Sequence, residues 1–318
     1  MISSAALLDS WRAGVLRRTL RLGPGRRVFL DRSLRTPIWF LLSLCLNCFL
    51  VWRFPEFSFY AVPLILGVPH LLASFRYGWG EPGAWRIYVG ITLVFGLALA
   101  LGGNPAWALG AMVITLLGML AQSQRVHWAP AVVGLACIGY GFHLDSYKTA
   151  LTLAILHNFV AFAFWFRSVR SRGERRGAIL ALGLTGLACV AVPMLPVIGP
   201  LGEISWNLAA LPADRFGVAF VRIFLLTQSL HYFVWLKAIP DQHAPTQVPL
   251  SFRMAFREDR RWFGPLIHGC VGVLVIGFLL WAYGVDRESA RRTYVHLAAY
   301  HGFAELAFLV GVSRRSGA

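Results

Sequence analysis

Charged residues are scarce in this chain, and acidic residues are the scarcest of them. Only 14% of its 318 residues are charged, whereas 57% are hydrophobic. A soluble domain usually carries about a quarter charged residues, because water has to solvate its surface. The shortage of charge therefore argues against a soluble protein and favours an integral membrane protein, whose apolar side chains are solvated by lipid.

Cysteine pairs suited to disulfide bonds are also missing. The chain has five cysteines, and all of them fall inside apolar segments rather than in loops. Cys45 and Cys48 have CxxC spacing, but buried thiols usually behave as small hydrophobic groups. No cleavable secretory signal is expected, because the first long apolar segment begins near Thr36 behind an Arg-rich stretch.

What the sequence does contain is a series of apolar segments about as long as a membrane-spanning helix, which needs roughly 20 residues. The predicted fold class is therefore all-α, a polytopic membrane helix bundle of about ten transmembrane helices. Residues 1–36 are predicted to be a cytoplasmic, Arg-rich amphipathic segment. Residues 37–318 are predicted to be a single transmembrane domain with a cytoplasmic loop at 238–263. The predicted spans are 37–53, 57–75, 87–102, 105–121, 127–142, 148–166, 178–197, 216–236, 264–284 and 293–312.

The distribution of arginine predicts the topology. The formal net charge of +16 could suggest a nucleic-acid partner, but the arginines cluster in short segments between apolar runs. That arrangement follows the positive-inside rule, with basic loops after the second, fourth, sixth, eighth and tenth spans. We therefore expect a multi-pass protein of the cell (inner) membrane, with both termini cytoplasmic, membrane lipids around it and no nucleic-acid partner.

Residues 4–22 predict a helix lying on the membrane surface. Its apolar side would consist of Leu7, Leu8, Trp11, Val15 and Leu22, with arginines directed towards anionic headgroups. A plain basic leader that only sets the topology is the alternative, and the sequence favours neither.

Histidine is the ionisable residue that recurs inside the predicted spans. Ionisable groups are costly in a bilayer, so each one is a functional candidate. At about 1.5 Å per helical residue, distances from flanking basic residues place these histidines in the cytoplasmic half of the membrane. The second, sixth, eighth and tenth spans each carry at least one. The intramembrane histidines are His70, His157, His231, His268, His296 and His301.

Several neutral imidazoles from different helices in one apolar layer are typical of a metal site, because imidazole suits iron, copper and zinc. A single buried histidine is more often a core residue bonded to a carbonyl or a Tyr hydroxyl. Six together favour a metal site built from some four of them. Two alternatives stay open: a heme-binding electron-transfer protein, and a transporter of protons or metal ions. The transporter is disfavoured because no duplicated halves are evident.

Other polar residues near these histidines are secondary candidates. Glu305 lies one helical turn after His301, and it could support that histidine or ligate the metal in a two-metal site. Asn158, beside His157, could orient a ligand or form a hydrogen bond between helices. His268 and His296 are further candidates for the site.

Four segments around these histidines resemble, in order, the four motifs of the bacterial and archaeal beta-carotene 15,15'-dioxygenase family, the bacteriorhodopsin-related-protein family. Leu71 stands where the family has a Gly after its Pro-His pair. Trp235 stands where the third motif has its second histidine. The four segments are "LGVPHLLASF" (66–75), "LAILHNFVAF" (153–162), "LTQSLHYFVWLKAIP" (226–240) and "LAAYHGFAEL" (297–306).

The resemblance implies a polytopic membrane enzyme that binds non-heme Fe(II) and cleaves a polyene double bond with dioxygen, giving retinal-like aldehydes. We therefore predict a membrane-embedded non-heme iron oxygenase that acts on a hydrophobic, carotenoid- or lipid-like substrate taken from the bilayer. By motif position, the resemblance implies that the metal ligands are His70, His157, His231 and His301.

Overall fold

All the regular structure that the computed structural model describes is helical. The described residues are 4–20, 30–79, 128–169, 171–196, 215–244 and 265–290, with short pieces at 110, 113, 116–117, 253–254, 257, 293, 301–302 and 305. Among them there is no β-strand, in agreement with the predicted all-α fold. The predicted span 87–102 lies outside the described residues, and so do most of 105–121 and 293–312.

Eight α-helices and one π-helical segment have bounds that the structure describes, and residues 287–290, 293, 301, 302 and 305 are helical as well. In chain order they are α1 (Ser4–Leu20), α2 (Arg32–Arg53), α3 (Pro55–Trp79), α4 (Trp128–Ser168), α5 (Arg172–Met194), α6 (Arg215–Phe233), the π-helical segment Val234–Ala238, α7 (Ile239–His243) and α8 (Pro265–Gly284).

Four helical stretches are long and apolar enough to cross a membrane, and they coincide with predicted spans. Their length and composition are those of a helical membrane protein, whereas the predicted number of ten spans goes beyond what the described residues show. Two shorter apolar stretches occur at Ala131–Asp145 and Gly272–Gly284. The four long stretches are Arg32–Arg53, Pro55–Ser74, Arg172–Met194 and Gly217–His243.

Helix α4 contains a reversal of the chain at the position where the sequence predicts a loop between two spans. Asp145 has φ −157° and ψ 95°, which is extended backbone within an otherwise helical element. A Cβ atom added at Gly141 would lie 3.0 Å from Oγ1 of Thr149. Residues eight apart on one straight helix are about 12 Å apart along its axis, so the two arms fold back on each other.

Local signals in the sequence explain where several helices begin. The Asp31 carboxylate accepts a hydrogen bond from the Ser33 backbone N–H at 2.9 Å and caps α2. Ser171 and Glu174 form a reciprocal capping box at the start of α5. Helix α3 begins with Pro55, whose missing N–H would have no helical partner at that position.

The end of α5 is held by a buried arginine of α6. The Arg222 guanidinium donates hydrogen bonds to the carbonyls of Leu195, at 2.6 Å, and Pro196, at 2.9 Å. It also donates to the carbonyl of Val192 at 3.2 Å. A helix leaves its last carbonyls without intrahelical partners, and Arg222 satisfies them inside an apolar bundle.

A buried ion pair joins the start of α2 to the segment that follows α6. The Arg35 guanidinium donates to both carboxylate oxygens of Asp241, at 2.7 and 3.0 Å, and Thr36 donates to the same carboxylate at 2.8 Å. The helical chain continues through His243, beyond residue 238 where the cytoplasmic loop was predicted to begin. Bidentate pairing offsets part of the desolvation of these charges.

Helix α1 is observed within the predicted surface helix 4–22. Leu7, Leu8, Trp11 and Val15 all have exposed side chains, whereas Leu22 lies outside the described residues. The Asp9 carboxylate accepts a hydrogen bond from the backbone N–H of Arg253 at 3.0 Å. The location of α1 on a membrane surface stays a prediction.

Small residues bring α2 and α5 into close contact. A Cβ atom added at Gly177 would lie 2.5 Å from Cγ of Pro37, and Ala178 and Ala181 beside it are buried. The large apolar residues of α5 are on its other side, where Leu187 and Val190 are exposed. Small residues between helices and large ones facing outward are typical of helix packing in membranes.

The close contact between α2 and α5 predicts that a methyl group added at the contact lowers the stability of the protein, whereas one added elsewhere on α5 does not. We expect Gly177→Ala to lower the stability of the protein by about 1–3 kcal/mol, because the rigid Pro37 ring occupies the space of the new methyl group. Gly183→Ala is the matched control on α5, since nothing lies within 4 Å of its Cβ position. Thermal unfolding in detergent, followed by circular dichroism, should show a lower Tm for Gly177→Ala alone. Equal Tm values would contradict the packing described.

Candidate metal centre

His70 is positioned by a distorted turn of α3. Pro63 and Pro69 interrupt the regular hydrogen bonding of this helix because proline has no N–H. The Nδ1 atom of His70 donates a short hydrogen bond to the carbonyl of Gly67 in the preceding turn. That bond fixes the proton on Nδ1, so Nε2 carries the lone pair. Nε2 is buried, and none of the described residues forms a hydrogen bond with it.

His231 is positioned in the same way by a different helix. Its Nδ1 atom donates to the backbone carbonyl of Asn158 on α4 at 3.4 Å. The Asn158 side chain donates to Oγ1 of Thr227 on α6 at 3.0 Å, which gives the two helices a second link. The lone pair of His231 is again on Nε2, which is buried and has no hydrogen-bond partner in the described part of the chain. Asn158 therefore both orients a histidine and joins two helices.

His157 and His301 approach each other because a glycine separates their helical segments. A Cβ atom added at Gly302 would lie 2.8 Å from Cγ of the His157 ring and 3.2 Å from its Nδ1. His301 Nε2 lies 3.4 Å from the hydroxyl oxygen of Ser74 on α3. The position after His301 therefore has to be a glycine for the His157 ring to fit beside it.

The four histidines form a closed cluster in which each ring has two neighbours. The ring centroid of His70 lies 5.1 Å from that of His231 and 5.0 Å from that of His301. The centroid of His157 lies 4.4 Å from that of His231 and 5.5 Å from that of His301. Three of the rings are fully buried, and the His157 side chain is 15% exposed. Interplanar angles between 55° and 84° exclude parallel stacking of these four pairs.

The spacing of the nitrogen atoms suits one ion. One nitrogen from each of the four rings can be chosen so that all lie within 4.8 Å of one another. Imidazole nitrogens bound to a transition metal at about 2.0–2.1 Å lie at most about 4.2 Å apart. Small rotations of the rings would close that difference, so the donors present fit a single transition-metal ion.

Glu305 contacts two of the four histidines. Its Oε1 lies 3.0 Å from Nε2 of His301, and its Oε2 lies 3.3 Å from Nδ1 of His157. Both separations are those of an ion pair, and both carboxylate oxygens are buried. The sequence placed Glu305 one turn from His301 but gave no indication that it also reaches His157.

The structure adds Tyr232 to the surroundings of the cluster. Its ring centroid lies 4.5 Å from that of His70, and its hydroxyl oxygen accepts a hydrogen bond from Gln228 Nε2 at 2.9 Å. Adjacency to His231 is the one signal in the sequence that could have indicated this role. Of the remaining candidates, His268 belongs to α8 but its side chain lies outside what is described, and His296 lies outside the described residues.

The close approach at Gly302 gives a test of the cluster. Gly302→Ala should displace the His157 ring and weaken the binding of a divalent transition metal by about 10- to 100-fold, as disturbed support of a metal ligand usually does. Gly272→Ala is the control, because nothing lies within 4 Å of its Cβ position. Titration of metal-free protein with Co(II), followed by visible absorption, measures both affinities. Unchanged binding by Gly302→Ala would contradict the described position of His157.

Comparison with known proteins identifies no relative of this chain. No family model, no curated protein and no solved structure matches the chain. The resemblance of the four histidine segments to the beta-carotene dioxygenase motifs therefore stays a prediction. The chemistry of the histidine cluster is therefore inferred from its geometry.

Proposed function

We propose that this protein is a membrane-embedded non-heme iron oxygenase that acts on a hydrophobic substrate taken from the bilayer. The observation that supports the proposal is the cluster of four imidazoles, from four separate segments, with one nitrogen of each within 4.8 Å of the others. Two of these rings, His70 and His231, present buried nitrogens that have no hydrogen-bond partner among the described residues.

The energetic cost of the cluster supports a bound cation. A buried polar group without a hydrogen bond costs roughly 2–7 kcal/mol, depending on the reference state. Within the part of the chain that the structure describes, His70 and His231 each have one such nitrogen, and the buried Glu305 carboxylate lies against His301 and His157. Protonation would place several positive charges within a few ångströms of one another in an apolar bundle. A single divalent ion would satisfy the lone pairs and the carboxylate together.

The same spacing favours an individual ion over a heme. In a bis-histidine heme, the two ligands lie on opposite faces of a macrocycle, which needs a wide flat space between them. Here the other two imidazoles and Glu305 lie beside any pair of histidines that could serve as axial ligands. The heme alternative is therefore disfavoured by the crowding of the site.

The donor set favours iron among the transition metals. Four imidazoles with a carboxylate nearby make a nitrogen-rich, partly hard site without thiolate. Non-heme Fe(II) in oxygenases is typically held by histidine and carboxylate with open coordination positions. The likeness to the beta-carotene dioxygenase motifs supports the same metal and adds a carotenoid-like substrate.

The proposal also includes the location of the protein, which would be the cell (inner) membrane with both termini cytoplasmic.

The protein's own residues would orient the metal and keep the site dry. Bound Fe(II) would supply the binding and activation of dioxygen, which could cleave a polyene double bond into two carbonyl products. The carbonyls of Gly67 and Asn158 hold two of the ligand rings in the orientation that directs Nε2 inward. Trp235 of the π-helical segment lies beside His231, with ring centroids 6.5 Å apart, and it belongs to the same buried apolar core as Phe40, Phe162 and Trp165. An apolar core next to the site would help to exclude water from it.

Metal analysis of purified protein tests the proposal. We expect about one iron per chain in the wild type, and loss of that iron in the Ala variants of His70, His157, His231 and His301. His143→Ala is the matched control, because His143 is an exposed histidine on α4 outside the cluster. Gel filtration and circular dichroism establish that each variant is folded.

Three results would contradict the proposal in whole or in part. A Soret band in the wild type would indicate heme. Stoichiometric zinc instead of iron would argue against an oxygenase. Full iron occupancy in His157→Ala would remove His157 from the site. With iron present, incubation with a carotenoid and dioxygen should give aldehyde products in the wild type and in His143→Ala, but not in the cluster variants.

A further inference from the structure

We propose that Glu305 is itself a metal ligand, so that the site is a set of four imidazoles and one carboxylate with a single open position. The inference rests on the proposed function, since it concerns the same ion. It differs from a supporting role, in which Glu305 would only accept a hydrogen bond from a histidine that ligates the metal.

The distances around Glu305 are those between neighbouring ligands of one ion. Two donors bound at about 2.1 Å and at right angles lie about 3.0 Å apart. The observed separations are 3.0 Å from Oε1 to His301 Nε2 and 3.3 Å from Oε2 to His157 Nδ1. Both carboxylate oxygens are buried, and each lies against the nitrogen of a different histidine of the cluster.

The helical segment presents Glu305 and His301 on the same side. Residues four apart on a helix are neighbours on one face, and both of these side chains are buried. His157 reaches the same point from α4, because Gly302 leaves space for its ring. The carboxylate therefore lies between ligands from two different helical segments.

Charge gives an independent reason for a carboxylate at this place. Four neutral imidazoles leave the full double charge of a divalent ion in an apolar bundle, which is costly. A directly bound carboxylate halves that net charge and brings in the harder oxygen donor that iron and manganese accept more readily than copper does. One oxygen as ligand makes five donors, so an octahedral ion keeps one position for dioxygen.

Binding of Fe(II) to Glu305→Gln tests the inference. The full-length protein is stripped of metal and titrated anaerobically with Fe(II), and nitric oxide is then added for electron paramagnetic resonance. We expect the isosteric Glu305→Gln to bind Fe(II) about 100-fold more weakly and to give a ferrous nitrosyl signal of altered symmetry. Glu305→Asp, which keeps a carboxylate, should retain iron with an altered signal, and it serves as the second variant if Glu305→Gln does not fold. Glu56→Gln is the control, because Glu56 pairs with Arg287 away from the cluster.

The outcomes separate this inference from the proposed function. Wild-type affinity and an unchanged nitrosyl signal in Glu305→Gln would overturn the ligand role, while the iron held by histidine would remain. Loss of iron in Glu305→Gln together with the absence of any nitrosyl signal in the wild type would support Glu305 as a ligand that fills the last position. In that case the proposed oxygenase function would be wrong, because dioxygen would have no position at the iron. A wild type that binds no Fe(II) would overturn both.

Discussion

The structure depends on one constraint: the lone pairs of buried imidazoles have to be satisfied inside an apolar helix bundle. Inside a bilayer, water does not solvate such groups, and a membrane protein normally pairs each buried polar group with another protein group. Elsewhere in the bundle, buried polar groups are paired in this way. Arg222 is paired with carbonyls of the α5 end, and Arg35 is paired with Asp241. At the histidine cluster, the Nε2 atoms of His70 and His231 have no such partner within the described ranges of the chain.

What holds the rings is local backbone structure rather than the cluster itself. His70 is fixed by a carbonyl of the proline-interrupted helix on which it lies, and His231 is fixed by a carbonyl of the neighbouring helix. Gly302 provides the space for His157. Each of these supports is outside the cluster and would hold its ring in position with or without an ion. Such preorganisation would keep the cost of binding a metal low, since little conformational freedom would be lost at that step.

The sequence predicted the members of the cluster because a histidine is conspicuous in an apolar segment, where each ionisable group is costly. The chain reversal at Asp145 was likewise predicted from the polar break between two apolar segments. The contact of Glu305 with His157 could not be predicted, because it depends on how two helices far apart in sequence pack together. The clearance at Gly302 and the pairing of Arg222 with the end of α5 are of the same kind. Periodicity shows which residues share a face of one helix, and not which face of another helix they meet.

The proposed iron site is tested most directly by X-ray absorption at the iron edge of the wild-type protein, purified from membranes without added metal. We expect one iron per chain with a first shell of nitrogen and oxygen donors and the multiple-scattering pattern of several imidazoles. Iron surrounded by sulfur, iron in a porphyrin, or protein without stoichiometric metal would contradict it. In the last case the four rings would be a packing arrangement of the bundle and not a catalytic centre.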